Sequence, residues 1–386
     1  MSQLDYDVVI CGGGPSGSTC ALALKDSGAK VLVIEKGVYP REKVCGDGLA
    51  PYIPKILGRI SEEYAQAFHD FEDKFPINKL LLRSYNGEYL DFPLKEEFYI
   101  ATRYHFDNFL HEQAAALPNV TYDTGRQVKR VEVQEDRAIV ETDKGSYTAK
   151  LVIGCDGITS VVRRDLTGHK VSSEERWATV RAYMSGVTDV DQSRLEVYYT
   201  KKYERGYFWV FPSADGLVNI GMGTLSRIAS AQKLNLKEVL FEIIDDIPEL
   251  KERFKNATLE SDVKGWTIPV DYGCTTISGD RFMLCGDAAS LADPATGEGI
   301  GPAMGSGRIA GFHAAECFKL GDFSKSAMEG YNRAIDKKYG TLIKRRKVAE
   351  KVYSKHHWTM NAFVKVLNSS STLKNAAEGV MDKLLA

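Results

Sequence analysis

Gly12, Gly14 and Gly17 stand at G-x-G-x-x-G spacing between a β-branched run, Tyr6 to Cys11, and a stretch of helical composition, Ser18 to Ser27. Glycines so spaced permit a tight turn, close backbone approach to a pyrophosphate, and close packing of helix on strand. Pro15 and Ser16 fill the turn. The helix that follows offers its unpaired N–H groups and the positive end of its dipole to phosphate oxygens. A second apolar run, Lys30 to Ile34, ends at Glu35 and Lys36. A carboxylate at the end of that strand accepts from ribose hydroxyls and fits an unmodified 2′-hydroxyl. The chemistry is binding of an adenine dinucleotide, NAD or FAD in preference to NADP. The bland alternative is a glycine turn without a ligand. Strand, turn, helix, strand and acid in that order argue against it.

Three later segments carry polar groups in fixed settings: Ala101-Thr-Arg103-x-x-Phe106-Asp107-x-x-Leu110, Gly154-Cys-Asp156-Gly157 running to Arg163, and Cys285-Gly286-Asp287-Ala-Ala. With the N-terminal unit they resemble flavoproteins of the para-hydroxybenzoate hydroxylase architecture. The resemblance implies FAD as cofactor. It implies that Asp287 accepts from the ribityl hydroxyls, where a fixed carboxylate suits hydroxyl donors. It further implies that Arg103 contacts the cofactor, that the Asp156 segment supports flavin and reductant sites, and that Lys36 and Val128 lie at the cofactor. Pro294-Ala-Thr-Gly297-Glu-Gly299-Ile300 is expected to place a turn and a helix start under the isoalloxazine, where a positive dipole end favours the anionic reduced ring.

Two further segments, Pro40-Arg-Glu-Lys-Val-Cys45-Gly46-Asp47-Gly48-Leu49 and Gly206-Tyr207-Phe-Trp209-Val-Phe211-Pro212, resemble the geranylgeranyl reductase family. The resemblance runs from residue 5 to about residue 320. It implies that Cys45, Gly46 and Gly48 approach the flavin and that an isoprenoid chain lies in an apolar cavity above it. Asp47 stands where some members carry another small residue. In a strand, Tyr207, Trp209 and Phe211 share one face, so they build either a wall for a hydrocarbon chain or the core of a second domain. Cys45 is either a proton donor or a small buried thiol.

These residues need a scaffold of alternating strands and helices at the chain ends, with strand meanders between. Strands are expected within 128–152 and 194–223, a hairpin over 79–93 turning at Asn86-Gly87, and helices over 61–75, 106–116 and 232–256. The fold class is α/β with an α+β insert. A split Rossmann-like FAD-binding domain (1–75, 101–165 and 272–325) carries an inserted antiparallel-sheet substrate domain (76–100 and 166–271) and a helical C-terminal segment (326–386). A length of 386 residues suits two intimate domains. A net charge of -2 gives no reason to expect nucleic acid. Seven cysteines without CxxC or Cys/His clustering argue against disulfides and metal sites. Cys11, Cys155 and Cys285 read as small buried hydrophobes. No run approaches the roughly 18 apolar residues of a membrane span, the first residues lack the basic region of a secretory signal, and the cysteine usage predicts a reducing cytoplasm. Lysine and arginine outnumber acids in 341–386, with Trp358, Phe363 and Leu367 interleaved. That segment either meets an anionic membrane from the inner face or covers the base of the protein. The expected activity is reduction of carbon–carbon double bonds in a geranylgeranyl or menaquinone-type chain. The partners are a prenyl lipid or quinone and an external electron donor, NAD(P)H or a reductase or ferredoxin. A flavin monooxygenase or halogenase, or a non-catalytic lipid-binding flavoprotein, are the alternatives.

Overall fold

The run Val8–Cys11 carries no residue able to face water, and it forms a strand buried along its whole length. So do Val31–Glu35 and Leu151–Gly154. Such continuously apolar strands suit a parallel sheet covered on both faces. They lie side by side in a six-stranded sheet ordered Ser278–Gly279, Phe282–Leu284, Leu151–Gly154, Val8–Cys11, Val31–Glu35, Val120–Thr124. All pairings are parallel except that of the short edge strand Ser278–Gly279. Neighbours in space come from distant parts of the chain, so the nucleotide-type sheet is split in sequence. The computed structural model describes residues 4–203, 206–273 and 276–370. Cys274, part of the 204–206 turn and the end of the basic segment (371–386) lie outside the described residues.

A nine-stranded sheet is built from Gly48–Leu49, Phe75–Arg83, Tyr89–Ile100 and the strands between Arg176 and Pro269. It is antiparallel except where Arg194–Tyr198 runs parallel to Phe75–Arg83. The hairpin turning at Asn86-Gly87 is longer than the expected 79–93, because both strands continue to cover the sheet. Arg176–Ser185, whose pattern is half polar, is a strand that composition did not signal. Alternation along Gly206–Pro212 sends Phe208 and Val210 into a core with Leu240, Ile243 and Leu250 of the helices Leu236–Asp246 and Pro248–Phe254. Tyr207, Trp209 and Phe211 therefore face the other way. A three-stranded sheet, Val128–Val133, Ala138–Thr142 and Gly145–Ala149, packs Val131 and Val140 on the main core.

The helix Pro15–Ala23 lies against Ile300–Leu320. The approach is close enough that a Cβ on Gly307 would stand 2.1 Å from the Ser16 carbonyl oxygen. Any side chain there would force the helices apart. Both helices thus begin beside the same space. After Lys325–Ile335, which packs Tyr331 into the main core, Thr341–Lys355 and His357–Ser369 cross to the large sheet, where Val364 and Leu367 join Leu80, Leu94 and Phe98. The six described cysteines are free thiols, and Cys11, Cys155 and Cys285 are buried as expected. No helix among the described residues is long and apolar enough to cross a membrane.

Candidate active site

The two main sheets enclose a cavity of about 1430 Å³. A site for one small molecule occupies roughly 300–1,000 Å³, so this one has room for a large cofactor and a second molecule.

One end gathers the glycine turn. Gly12 has φ of +101°, and a Cβ on it would meet the Cys155 carbonyl oxygen at 2.3 Å. Gly14, Pro15 and Ser16 line the cavity, and no side chain caps the helix at Gly14. Gly17 does not reach the cavity wall. A Cβ there would stand 1.9 Å from the Gly12 carbonyl oxygen, so its service is the packing of helix on strand. Glu35 accepts from the Gly13 and Gly37 amides, each at 2.9 Å, which fixes its carboxylate at the cavity edge beside Lys36 and Val128. Asp107 grips Arg103 through two hydrogen bonds of 2.5 and 2.8 Å, and the same carboxylate holds Arg41 at 3.0 Å. Two guanidiniums on one buried acid make a rigid cationic pair near an uncapped helix start, suited to a pyrophosphate. Asp107, one turn after Arg103, and Arg41, inside the Pro40–Leu49 segment, were missed as site residues. The i,i+4 spacing of Arg103 and Asp107 was the available signal.

Asp156 accepts from Ser160 Oγ at 2.5 Å and from the Val161 amide at 2.7 Å, turning the chain into the next helix along the cavity wall. Asp287 also lines the cavity. Burial pushes its carboxyl up, and Lys43, Arg103 and Arg163 oppose the shift. Arg163 donates to the Asp287 and Ala288 carbonyls at 3.1 and 3.0 Å, so it pins the loop that presents this acid. The uncapped helix start and the cationic pair fit the phosphates of FAD, the fixed acid at the second strand its ribose, and the pinned buried carboxyl its ribityl chain.

Over the large sheet the cavity is walled by Tyr207, Trp209 and Phe211. Tyr207 donates to the Thr296 carbonyl, and Trp177 Nε1 donates to the Pro294 carbonyl at 3.1 Å. These bonds seat the 294–300 turn, with Gly297, Gly299 and Ile300, on the sheet. Trp209 Nε1 donates to Asn219 Oδ1 at 3.0 Å. Asn219 Nδ2 in turn donates to the Cys45 carbonyl at 3.0 Å and to Asp47 Oδ2 at 2.8 Å. Tyr183 adds a bond to Asp47 at 2.5 Å. Asp47 is completely buried and holds φ of +65°. Burial pushes its carboxyl up to about 6 against these bonds. One network therefore ties the aromatic wall to the loop of Cys45, Gly46 and Gly48, all three of which line the cavity. The Arg103 guanidinium faces the Cys45 thiol. Asn219 was also missed. It and Thr224 are the polar residues in an otherwise apolar strand, Val218–Leu225.

Glu298, in the same turn as Gly297 and Gly299, lines the cavity. It accepts from Tyr52 at 2.9 Å and from the Gly301 amide at 2.7 Å. Burial pushes it up to about 7, although both bonds favour its charged form. The C-terminal helices close the cavity with Arg346, Val352, Met360 and Phe363. Within Lys344-Arg345-Arg346-Lys347, Arg346 pairs with Asp293 at 2.5 Å and Lys347 with Glu175 at 3.2 Å. Half of this basic cluster thus fastens the helix to the site, and Lys344 and Arg345 point to solvent.

The family model described as an FAD binding domain matches residues 5–316. The digeranylgeranylglycerophospholipid reductase of Methanocaldococcus jannaschii is 30% identical over 90% of this chain and 87% of its own. A 1H-pyrrole-2-carbonyl-[peptidyl-carrier protein] chlorinase of Pseudomonas fluorescens is 26% identical over 87% of this chain and 81% of its own. A crystal structure of a geranylgeranyl bacteriochlorophyll reductase-like protein from Thermoplasma acidophilum superposes with a TM-score of 0.81. The two are 26% identical, with coverage of 93% of this chain and 90% of that one. The nucleotide cradle, the pinned Asp287 and these likenesses converge on one assignment: the chain is an FAD-dependent oxidoreductase belonging to the geranylgeranyl reductase family.

Proposed function

We propose that this enzyme saturates carbon–carbon double bonds of an isoprenoid chain laid along the large sheet. The observation that carries the reading is the cavity floor, where Tyr207, Trp209 and Phe211 continue into Val197, Leu195, Leu80 and Leu82 beside the flavin-type cradle. A hydrocarbon chain fits such a surface, and a small polar substrate would leave most of it wet. The M. jannaschii relative, named for reduction of a prenyl lipid, supports the same chemistry. FAD held in the cradle would supply the hydride, with its electrons drawn from an external donor, NAD(P)H or a reductase or ferredoxin. The chain's own residues do the rest. The aromatic wall and the C-terminal helices hold the alkene and exclude water. Glu298, protonated near neutrality, gives the proton to the second carbon. Cys45, on the same cavity wall, is the alternative donor.

The test is anaerobic. Photoreduced enzyme mixed with a geranylgeranyl lipid should be reoxidised, and the lipid should gain about two mass units per bond reduced. A reduced spectrum that persists with every prenyl lipid or menaquinone would leave a lipid-binding flavoprotein. Halogenated product from an aromatic substrate with oxygen would favour the halogenation named for the P. fluorescens relative, and hydroxylated product a monooxygenase.

The same reading places the protein on a membrane surface through the C-terminal helix pair. Val348 and Trp358 are 62% and 67% exposed, beside solvent-facing Lys344, Arg345 and Lys351, and Glu350 is turned inward. Exposed apolar residues among cations suit an anionic leaflet. The protein should sediment with phosphatidylglycerol vesicles and much less with phosphatidylcholine vesicles. The double variant Lys344→Glu/Arg345→Glu should lose that difference. Equal sedimentation of both proteins with both vesicles would remove the membrane from the reading.

A further inference from the structure

Gly301, Gly305 and Arg308 recur at spacings of four and three, which sets them on one face of the helix Ile300–Leu320. That face begins beside Glu298, which accepts from the Gly301 amide at 2.7 Å. The two glycines leave room on it for two phenols. A Cβ on Gly301 would stand 2.2 Å from the Tyr52 oxygen. A Cβ on Gly305 would stand 1.9 Å from the Tyr339 oxygen and 3.0 Å from Lys338 Nζ. Tyr52 donates to Glu298 at 2.9 Å. Tyr339 is 7% exposed, and its hydroxyl has no hydrogen-bond partner among the described residues. Glu298, Tyr52, Tyr339 and Lys338 therefore follow one another along the helix. Glu298 lines the cavity, and the other three stand outside its lining.

Two elements bring these groups to the helix. Tyr52 and Arg59 bracket the short helix Ile53–Gly58. Lys338 and Tyr339 are neighbours in the π-helical turn Asp336–Gly340, a widened turn of the kind frequent at functional sites. Lys338 is half-buried and Arg59 is exposed, so the file ends at solvent. Burial, with the guanidiniums of Arg308 and Arg59, pushes the Lys338 ammonium down to about 8. A group in that range passes protons readily near neutrality. The Tyr52 and Tyr339 hydroxyls belong to positions one helical turn apart, a rise of about 6 Å. A single bridging water, at about 2.8 Å per bond, spans about 5.6 Å. A buried hydroxyl without a partner is costly, and that water would supply one.

We propose that Lys338, Tyr339, one water and Tyr52 form a proton relay that reloads Glu298 while a lipid fills the cavity. The proposal rests on the reading of Glu298 as the donor, and it assigns the path by which that donor is restored. A prenyl chain carries several double bonds, and once bound it covers the cavity side of Glu298 with hydrocarbon. A supply from behind lets successive bonds be reduced without release of the chain. After Glu298 has given its proton to the substrate carbon, its carboxylate takes one from the Tyr52 hydroxyl. Tyr52 takes one from the water, the water from Tyr339, and Tyr339 from the Lys338 ammonium. The Lys338 amine then recovers a proton from solvent, so one proton enters for each that leaves. Burial holds both phenols well above their ordinary range, so neither persists as a phenolate and the transfers are concerted.

The experiment uses FAD-loaded enzyme, a geranylgeranyl glycerophospholipid and dithionite in excess, with products followed by mass over time. The first bond draws on the proton already held by Glu298, and later bonds need the relay. In Tyr339→Phe and in Lys338→Ala the ratio of later-bond to first-bond rate should fall about tenfold, and lipid with one bond reduced should accumulate. Methylamine should restore the ratio in Lys338→Ala. Tetramethylammonium, which brings the charge without a proton, should not. The proposal is overturned if the ratio keeps its wild-type value in both variants. It is also overturned if all bonds slow equally, or if tetramethylammonium restores the ratio as well as methylamine does, because Lys338 and Tyr339 would then serve packing or charge alone. Glu298→Gln separates the two layers. If it leaves the first bond at full rate, the donor reading falls. If it slows the first bond while Tyr339→Phe and Lys338→Ala leave the ratio unchanged, only the relay falls.

Discussion

Gly221→Ala is expected to cut lipid reduction by about tenfold or more in a protein that keeps its FAD. A Cβ at residue 221 would stand 2.1 Å from the Trp209 ring and 2.5 Å from the Val180 carbonyl oxygen. The backbone of the central strand cannot retreat, because it is bonded to strands on both sides. The indole must move, and Trp209 then loses its bond to Asn219, the residue that also holds the Cys45 carbonyl and Asp47. Overpacking of this kind costs about 1–3 kcal/mol, and 1.4 kcal/mol is a factor of ten. The damage falls on the aromatic wall of the cavity and the Cys45 loop. The glycine turn and Glu35, where the cofactor's phosphates and ribose are proposed to lie, belong to the other sheet. The check is the FAD-to-protein ratio together with kcat/KM for the prenyl lipid. Undiminished kcat/KM would show that the indole does not need the space left by Gly221.

That a glycine in a strand could matter so much was not legible in the sequence. Gly221 and Gly223 read as ordinary members of an apolar run, and only register reveals that Trp209 lies across one of them. The local parts were legible. The glycine turn, Glu35, Arg103, Asp156 and Asp287 sit in short motifs whose geometry follows from a few neighbouring residues, and the structure brings them together on one cavity. Tyr207, Trp209 and Phe211 share a face because a strand has period two, which needs no knowledge of partners. What escaped depends on contacts between distant segments. Arg181 and Trp266 lie on strands with weak alternation, and they join the floor only through pairing with each other's strand. Arg346 carried the look of a surface charge in a basic run, and its buried bond to Asp293 spans 53 residues of chain. Gly17 was grouped with the cofactor residues because it belongs to the motif. Its neighbour is the Gly12 carbonyl, a packing role that the same spacing equally predicts.

Glu298→Gln is expected to lower the rate of lipid reduction about a hundredfold, the lower end of what a positioned general acid contributes, and to remove a pH dependence. The substitution keeps shape and partners. A glutamine oxygen can accept from the Gly301 amide, and its nitrogen can donate to the Tyr52 oxygen, which lies 2.9 Å from the carboxylate. Helix start and cofactor should therefore stay in place, and the acidic proton is what is lost. In the wild type the carboxyl is pushed up to about 7 by burial. The acid form is the active one, so the single-turnover rate with lipid should fall as pH rises through about 7. In Glu298→Gln the slow residual rate should be flat there. Stability supplies a second readout with a definite sign. The folded value lies above the ordinary 4.5, so the favourable contribution is fully present below about 4.5 and is lost as pH rises through about 7. Thermal midpoints of the wild type should decline across that window, and those of Glu298→Gln should decline less. The part that persists belongs to the other buried carboxyls raised in the same sense, Asp47, pushed up to about 6, together with Asp156, Asp287 and Asp293. Cys45→Ser is the control, since that thiol is the alternative donor on the wall. If it, and not Glu298→Gln, abolishes the fall in rate near pH 7, the proton comes from Cys45 and Glu298 is only a helix cap.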